Sequence, residues 1–158
     1  MAGLVFLYNG GGYVGVSWCY GPCRCYNSVI MSVAITYFVH GTTTDNENDI
    51  SSGWFDVGLA ERGIQQSLAL KTQINVKEFD AVFCSDLKRA VDSAKLTFEG
   101  EVPIIIDGRL RECNYGTYNA QPSSIVEPLQ EKMISERFPD GESYEDVKTR
   151  VSDFLVLL

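Results

Sequence analysis

Histidine is almost missing from this chain: His40 is the only one in 158 residues. A zinc centre built from Cys and His therefore has too few ligands. Cys19, Cys23 and Cys25 crowd one segment, but no second cysteine pair and no histidine lie near enough to complete a set of four. No metal site is expected, and these side chains read as free thiols. Basic residues are also scarce, 13 Lys and Arg against 21 Asp and Glu, a formal net charge of -8. That field repels nucleic acid and anionic membrane alike, so any anion the protein binds must be captured by local groups. Long apolar runs and a basic leader are missing too: Asn9 and the glycines after it interrupt the N-terminal hydrophobic stretch, which argues against a signal peptide or membrane anchor. The cysteines do not form the even, spaced framework of a secreted scaffold, and a reducing cytoplasm is the expected compartment. Internal repeats and low-complexity stretches are absent.

What is present suits one folded domain. Hydrophobic residues make up 45% and aromatics 11%, enough for a single core at this length. Charge is uneven, because Arg24 is the one charged side chain before Asp45. Residues 1–30 therefore read as an appended extension without function, with Met31 a candidate natural initiator, and residues 31–158 as a partial domain. Gly10, Gly12 and Gly15 match the G-x-G-x-x-G spacing that lets backbone approach a pyrophosphate, but no amphipathic helix and no suitably placed acidic residue follow.

From Met31 the pattern alternates. Val33 to Val39 is apolar on both faces and rich in β-favouring residues, as in a strand buried within a parallel sheet. Glu61 to Ile74 is helical in period, and Asp80 to Cys84 reads as a strand. Ser85 and Asp86 offer caps to a helix with Leu87, Val91, Ala94 and Phe98 on one face. Val102 to Ile106 reads as another buried strand and Ser123 to Met133 as a helix. Ser143 and Asp146 form a capping box before Val147, Val151, Phe154 and Leu158. The implied fold is α/β, three layers with a mostly parallel central sheet. The apolar ending Phe154 to Leu158 lacks a glycine cap and a basic last turn, so the domain is expected to be incomplete at its C-terminus.

In such sheets ligands bind beyond the carboxyl ends of the strands. Those junctions carry His40, then Arg89 in the first turn of a helix, then Arg109, Arg111 and Glu112. A nucleophile, a cation and a carboxylic acid on one rim are the parts needed for phosphoryl transfer by covalent catalysis. Neutral imidazole attacks through one ring nitrogen when a backbone carbonyl fixes the other as N–H. A guanidinium neutralises the phosphate oxygens, and Glu112, when protonated, hands a proton to the leaving alkoxide and then takes one from water. Each has a plainer reading: a loop histidine, a surface arginine on an amphipathic helix, and a glutamate paired with Arg109 or Arg111.

The residues resemble the histidine phosphatases, the phosphoglycerate mutase-like superfamily whose signature begins R-H-G-E-T-x-x-N. Here it stands as Val39-His40-Gly41-Thr42-Thr43-Thr44-Asp45-Asn46. The likeness continues through Gly53-Trp54 with Asp56, Leu59-Ala60-Glu61-Arg62-Gly63 with Gln66, Ser85-Asp86-Leu87-Lys88-Arg89-Ala90, Arg109-Leu110-Arg111-Glu112 with Gly116, and Phe138 to Tyr144. The resemblance implies that His40 is the phosphorylated nucleophile and Glu112 the proton donor and acceptor. It implies Arg89 as a phosphate ligand, with Gly41, Thr43 and Asn46 about the phosphate pocket and no metal or organic cofactor. The family's second catalytic histidine does not occur within these residues. The arginine that precedes the nucleophile is Val39 here, a loss of one charged contact worth roughly 1.5 to 3 kcal/mol. Arg62 or Arg111 would have to fill in as the substrate-binding cation.

Three functions follow. The first is a phosphatase hydrolysing small phosphorylated metabolites through phosphohistidine, favoured by the short stretch between Gly116 and Gly141. The second is a phosphoglycerate mutase-type isomerase, and the third a weak or inactive phosphate-binding homologue. The organic part of the substrate would be met by loops such as Pro122 to Glu131. A homodimer is compatible with the resemblance. Val39→Arg is expected to tighten binding of inorganic phosphate by calorimetry; unchanged or weaker binding would mean that another group occupies the arginine's place.

Overall fold

The computed structural model describes the backbone of residues 4–18 and 26–158, and side chains from Val33 onward. The cluster Cys19, Cys23 and Cys25 lies outside the described residues. Two long strands, β1 (Leu4–Trp18) and β2 (Tyr26–Val39), form an antiparallel pair. The chain then runs through a short helix α1 (Thr44–Glu47), strand β3 (Ile50–Ser51), helix α2 (Glu61–Gln73), strand β4 (Ala81–Cys84), helix α3 (Lys88–Phe98) and strand β5 (Ile104–Ile106). Strand β6 (Gln121–Pro122), the short α4 (Ser123–Val126) and helix α5 (Tyr144–Leu155) follow.

The main sheet has the order β2-β1-β4-β5. β4 and β5 pair in parallel, and β1 is antiparallel to both of its neighbours, so β2, β4 and β5 all point the same way. β1 is the one strand against that direction. Gly10, Gly12 and Gly15 fall inside it, and its register shifts between Gly11 and Val14, so the glycines sit at a bulge and not at a strand-to-helix turn.

Side-chain alternation makes this sheet the middle of three layers. Val82 and Cys84 on one face pack with Ala90, Ala94 and Phe98 of α3, and α2 packs against α3. Phe38 joins this core, with ring centroids 6.3 Å from Phe98 and 6.4 Å from Phe79. Phe83 on the opposite face meets Phe154 of α5 at 5.2 Å. A second cluster, Cys113, Tyr115, Val126, Met133 and Phe138, builds the region after β5.

Four expectations are corrected, the first being that the strand at Val102 to Ile106 is buried: β5 is an edge strand with Ile105 and Ile106 exposed. β2 is not buried on both faces: Val33, Ile35, Tyr37 and Val39 are exposed, Val39 at 63%. β2 is an edge strand, and an unbroken apolar run cannot distinguish two covered faces from one. Ser85 and Asp86 do not cap α3. Asp86 is taken by Arg111, and the Lys88 N–H donates instead to Asp56 Oδ1 at 2.7 Å. The helix expected over Ser123 to Met133 breaks after one turn into short 3-10 turns, because Pro128 has no N–H to continue it. The capping box at Ser143 and Asp146 is formed as expected. No helix among the described residues is long and apolar enough to cross a membrane.

Gly41 and Gly63 bring the loop after β2 against the start of α2. A Cβ on Gly63 would overlap the backbone of Thr42, and one on Gly41 the backbone of Gly63. Gly63→Ala should therefore lower the urea midpoint by the equivalent of about 1 to 3 kcal/mol despite the better helix propensity of alanine. An unchanged or raised midpoint would mean that the two segments can separate freely.

Candidate active site

β2 ends by delivering His40 into a loop that α2 and α3 hold in place. His40 is 7% exposed. Its Nδ1 lies 2.6 Å from the Gly41 carbonyl oxygen. A carbonyl can only accept, so this contact assigns the proton to Nδ1 and leaves the lone pair on Nε2. Burial pushes the pKa down from 6.5 to about 4, the Gly41 bond opposes this, and the Arg89 charge adds to it. The imidazole is thus neutral at neutral pH.

Position comes from neighbouring helices. The Gly41 N–H donates to Ser93 Oγ at 2.9 Å, and that hydroxyl donates to the Arg89 carbonyl at 2.8 Å. Thr42 gives both its N–H and its hydroxyl to Gln66 Oε1, each at 2.9 Å. Ser93 stands one turn after Arg89 on α3, so a single hydroxyl links the histidine loop to the helix that carries the cation.

Arg89 is 2% exposed, yet it forms no salt bridge with a described residue. Its Nη2 donates to the Gly53 carbonyl at 2.7 Å and Nη1 to that of Phe55 at 3.2 Å. Burial lowers its pKa, and the charges of Glu112, Asp56, Tyr115 and Asp45 oppose that shift. A guanidinium stays charged even so, and one held by neutral carbonyls in a desolvated position favours the arrival of an anion.

Glu112 follows the 3-10 turn at Gly108–Leu110. Its carbonyl accepts from Trp54 Nε1 at 2.7 Å and from Arg150 Nη2 at 2.9 Å. Arg150 is anchored by Glu142 and also donates to the Arg109 carbonyl at 2.6 Å. Burial raises the Glu112 pKa, against the bond from the Cys113 N–H and the charges of Arg89 and Arg150. The two groups thus shift in opposite directions, the carboxyl upward and the imidazole downward, as suits an acid and a nucleophile that line one cavity.

His40, Asn46, Arg89 and Glu112 line one cavity of about 170 Å³, together with Ser51 to Gly53, Tyr115, Ser123, Glu127 and Gln130. A larger cavity of about 630 Å³, lined mainly by β2, α2 and α3, meets it at His40 and Asn46 and includes Gly41. Thr43 is fully buried beneath the site, where its hydroxyl exchanges hydrogen bonds with Asn46 and caps α1. Arg62 is exposed on the first turn of α2 and lines neither cavity. Arg111 lies with its Nε 2.6 Å from Asp86 and its guanidinium 4.5 Å from the centre of the Trp54 ring. Arg109 pairs with Asp107. None of these three arginines lies where it could replace the cation missing at Val39. Ser93, Tyr115 and Ser51 were not anticipated, since lone polar residues in helix or loop give no periodic sign of what they face.

An α/β sheet that presents a histidine, a buried arginine and a glutamate at the ends of its strands defines the class. The chain belongs to the histidine phosphatase superfamily (branch 1), whose family model matches residues 37–157. It is 33% identical over 135 residues to the fructose-2,6-bisphosphatase TIGAR of Xenopus tropicalis, covering 79% of this chain and 49% of that protein. Over 90 residues it is 36% identical to the 2,3-bisphosphoglycerate-dependent phosphoglycerate mutase of Streptococcus agalactiae, 53% of this chain and 39% of the mutase. The chain thus spans about half the length, or less, of these curated relatives. A mycobacterial glucosyl-3-phosphoglycerate phosphatase solved with VO3 superimposes with a TM-score of 0.65 at 25% identity, covering 75% of this chain and 63% of that one. The structure of an Escherichia coli putative alpha-ribazole-5'-P phosphatase gives 0.64 at 26% identity, covering 74% and 62%.

The His40 shift has a consequence for stability. The unfolded chain takes up the proton near pH 6.5 and the folded chain only near 4, so acid favours unfolding through that window. Relative to His40→Asn, the native protein should lose up to about 3 kcal/mol as pH falls from 6.5 to 4. Urea unfolding at stepped pH measures it, and parallel curves for the two proteins would refute the buried neutral ring.

Proposed function

We propose that the chain carries the phosphoryl-accepting site of a phosphatase that hydrolyses small phosphorylated metabolites. Above all, the reading rests on the Nδ1 contact with the Gly41 carbonyl, which leaves Nε2 unprotonated in a cavity shared with an arginine that has no ionic partner among the described residues. In the first step Nε2 attacks phosphorus, the P–N bond forms, and the ester P–O bond breaks. Glu112 delivers its proton to the departing alkoxide. Arg89 and Asn46 hold the phosphoryl oxygens, with the fixed Thr42 and Gly41 backbone keeping the ring in line. In the second step Glu112, now a carboxylate, takes a proton from the water that attacks phosphorus, and His40 leaves as neutral imidazole. Gly41 and Thr43 act by shaping and supporting the loop, and Arg62 is assigned no contact with substrate.

Hydrolysis is favoured over isomerisation because the segment between Gly116 and Gly141 is short and closes into its own core of Val126, Met133 and Phe138, with no long insertion to retain an intermediate. The likeness to a phosphoglycerate mutase keeps phosphate exchange between hydroxyls as the second reading. The third, a phosphate binder that does not turn over, draws on Val39 at the arginine position. A reducing compartment such as the cytoplasm suits the buried free thiols of Cys84 and Cys113.

Incubation with p-nitrophenyl phosphate should place acid-labile phosphate on the chain, and His40→Ala should abolish it. Glu112→Gln should slow phosphorylation from an alkyl phosphate by about a hundredfold and from the p-nitrophenyl ester far less, because only a poor leaving group needs the proton. Labelling that persists without His40, or equal slowing of both esters, would refute the roles assigned.

A further inference from the structure

The rim of the small cavity bears on what the phosphate is attached to. With His40 neutral, the ionisable lining among the described residues holds one cation, Arg89, against two carboxyl groups, Glu112 and Glu127. The other arginines nearby are committed: Arg111 to Asp86, Arg109 to Asp107 and Arg150 to Glu142. What lies beyond the buried Arg89 is hydrogen-bonding and, apart from Glu127, neutral. Ser51 and Ser123 stand with their hydroxyls 3.0 Å apart where β3 and β6 pair, and Gln130 and Glu127 come from the turns that follow α4.

We infer that this rim selects the single-phosphate ester of a neutral polyhydroxylated molecule, and that Glu127 rejects a second phosphate. The inference rests on the phosphohistidine reading and deepens it. Serine hydroxyls and a glutamine amide can each donate and accept, as a ring of alcohol groups requires, and a carboxylate accepts from two neighbouring hydroxyls. A second phosphate gains nothing from these groups beyond weak neutral donors. It meets the Glu127 charge and, at longer range, a chain of net charge -8. Arg89 cannot serve both phosphates, since it is buried at the floor with its fork directed by the Gly53 and Phe55 carbonyls.

The test measures rates of His40 phosphorylation in the full chain by intact-mass spectrometry, using a hexose 6-phosphate, the matching hexose 1,6-bisphosphate and p-nitrophenyl phosphate. The monophosphate should react faster than the bisphosphate by about fivefold or more, the scale of one exposed charge interaction, and the gap should narrow with added salt. Glu127→Lys should raise the rate with bisphosphate relative to monophosphate by at least that factor. A bisphosphate that reacts as fast as the monophosphate, or a ratio unmoved by Glu127→Lys, overturns the inference; if p-nitrophenyl phosphate still labels His40, the phosphohistidine reading survives. No labelling by any of the three overturns both.

Discussion

The burial of Arg89 is the constraint on which the site depends. A guanidinium at 2% exposure must be satisfied, and here neutral carbonyls at Gly53 and Phe55 do so while leaving its charge unmatched by a salt bridge among the described residues. Desolvation of an unpaired cation costs several kcal/mol in principle, a cost the rest of the fold must offset and an incoming phosphate would relieve. The 53–55 loop, the start of α3 and the cavity floor are therefore one unit. Ser93 extends that unit to His40 by taking the Gly41 N–H.

Opposite pKa shifts divide the labour. Burial acts on His40 and Glu112 alike and disfavours the charged form of each, which lowers the pKa of the imidazole and raises that of the carboxyl. Nearby arginines have other duties. Arg150 staples the carbonyls of Arg109 and Glu112, and Arg111 rests on Trp54, whose indole N–H holds the same Glu112 carbonyl. Among the described residues, positive charge surrounds the Glu112 backbone without entering the cavity, whose lining there holds one cation, Arg89, on an otherwise neutral or acidic rim.

The sheet is less regular than the family likeness implies. β1 lies between β2 and β4 and runs against both, while the outer face of β2 at Val33, Ile35, Tyr37 and Val39 is uncovered. His40 nevertheless stands at the carboxyl end of β2, as Ser85 does at that of β4, because the three strands that bear the site keep one direction.

Much of this was legible from residue order alone. Period located α2 and α3, period and a capping box located α5, and the strand ends pointed to His40, Arg89 and Glu112, because local backbone preference and strand-end placement are properties of short segments. Other features were decided only by the fold. Whether Arg111, Arg109 or Arg62 faces phosphate depends on Asp86, Asp107 and the turn of α2, partners that are distant or whose geometry no spacing encodes. The cap of α3 comes from Asp56, far back in the chain, in place of the adjacent Ser85 and Asp86. Ser93 matters only through its bonds to the Gly41 N–H and the Arg89 carbonyl, and Glu127 only through the cavity it lines. A linear sequence determines which groups are available and in what local conformation; desolvation and pairing arise between segments, and only the tertiary structure determines which charges are left to act.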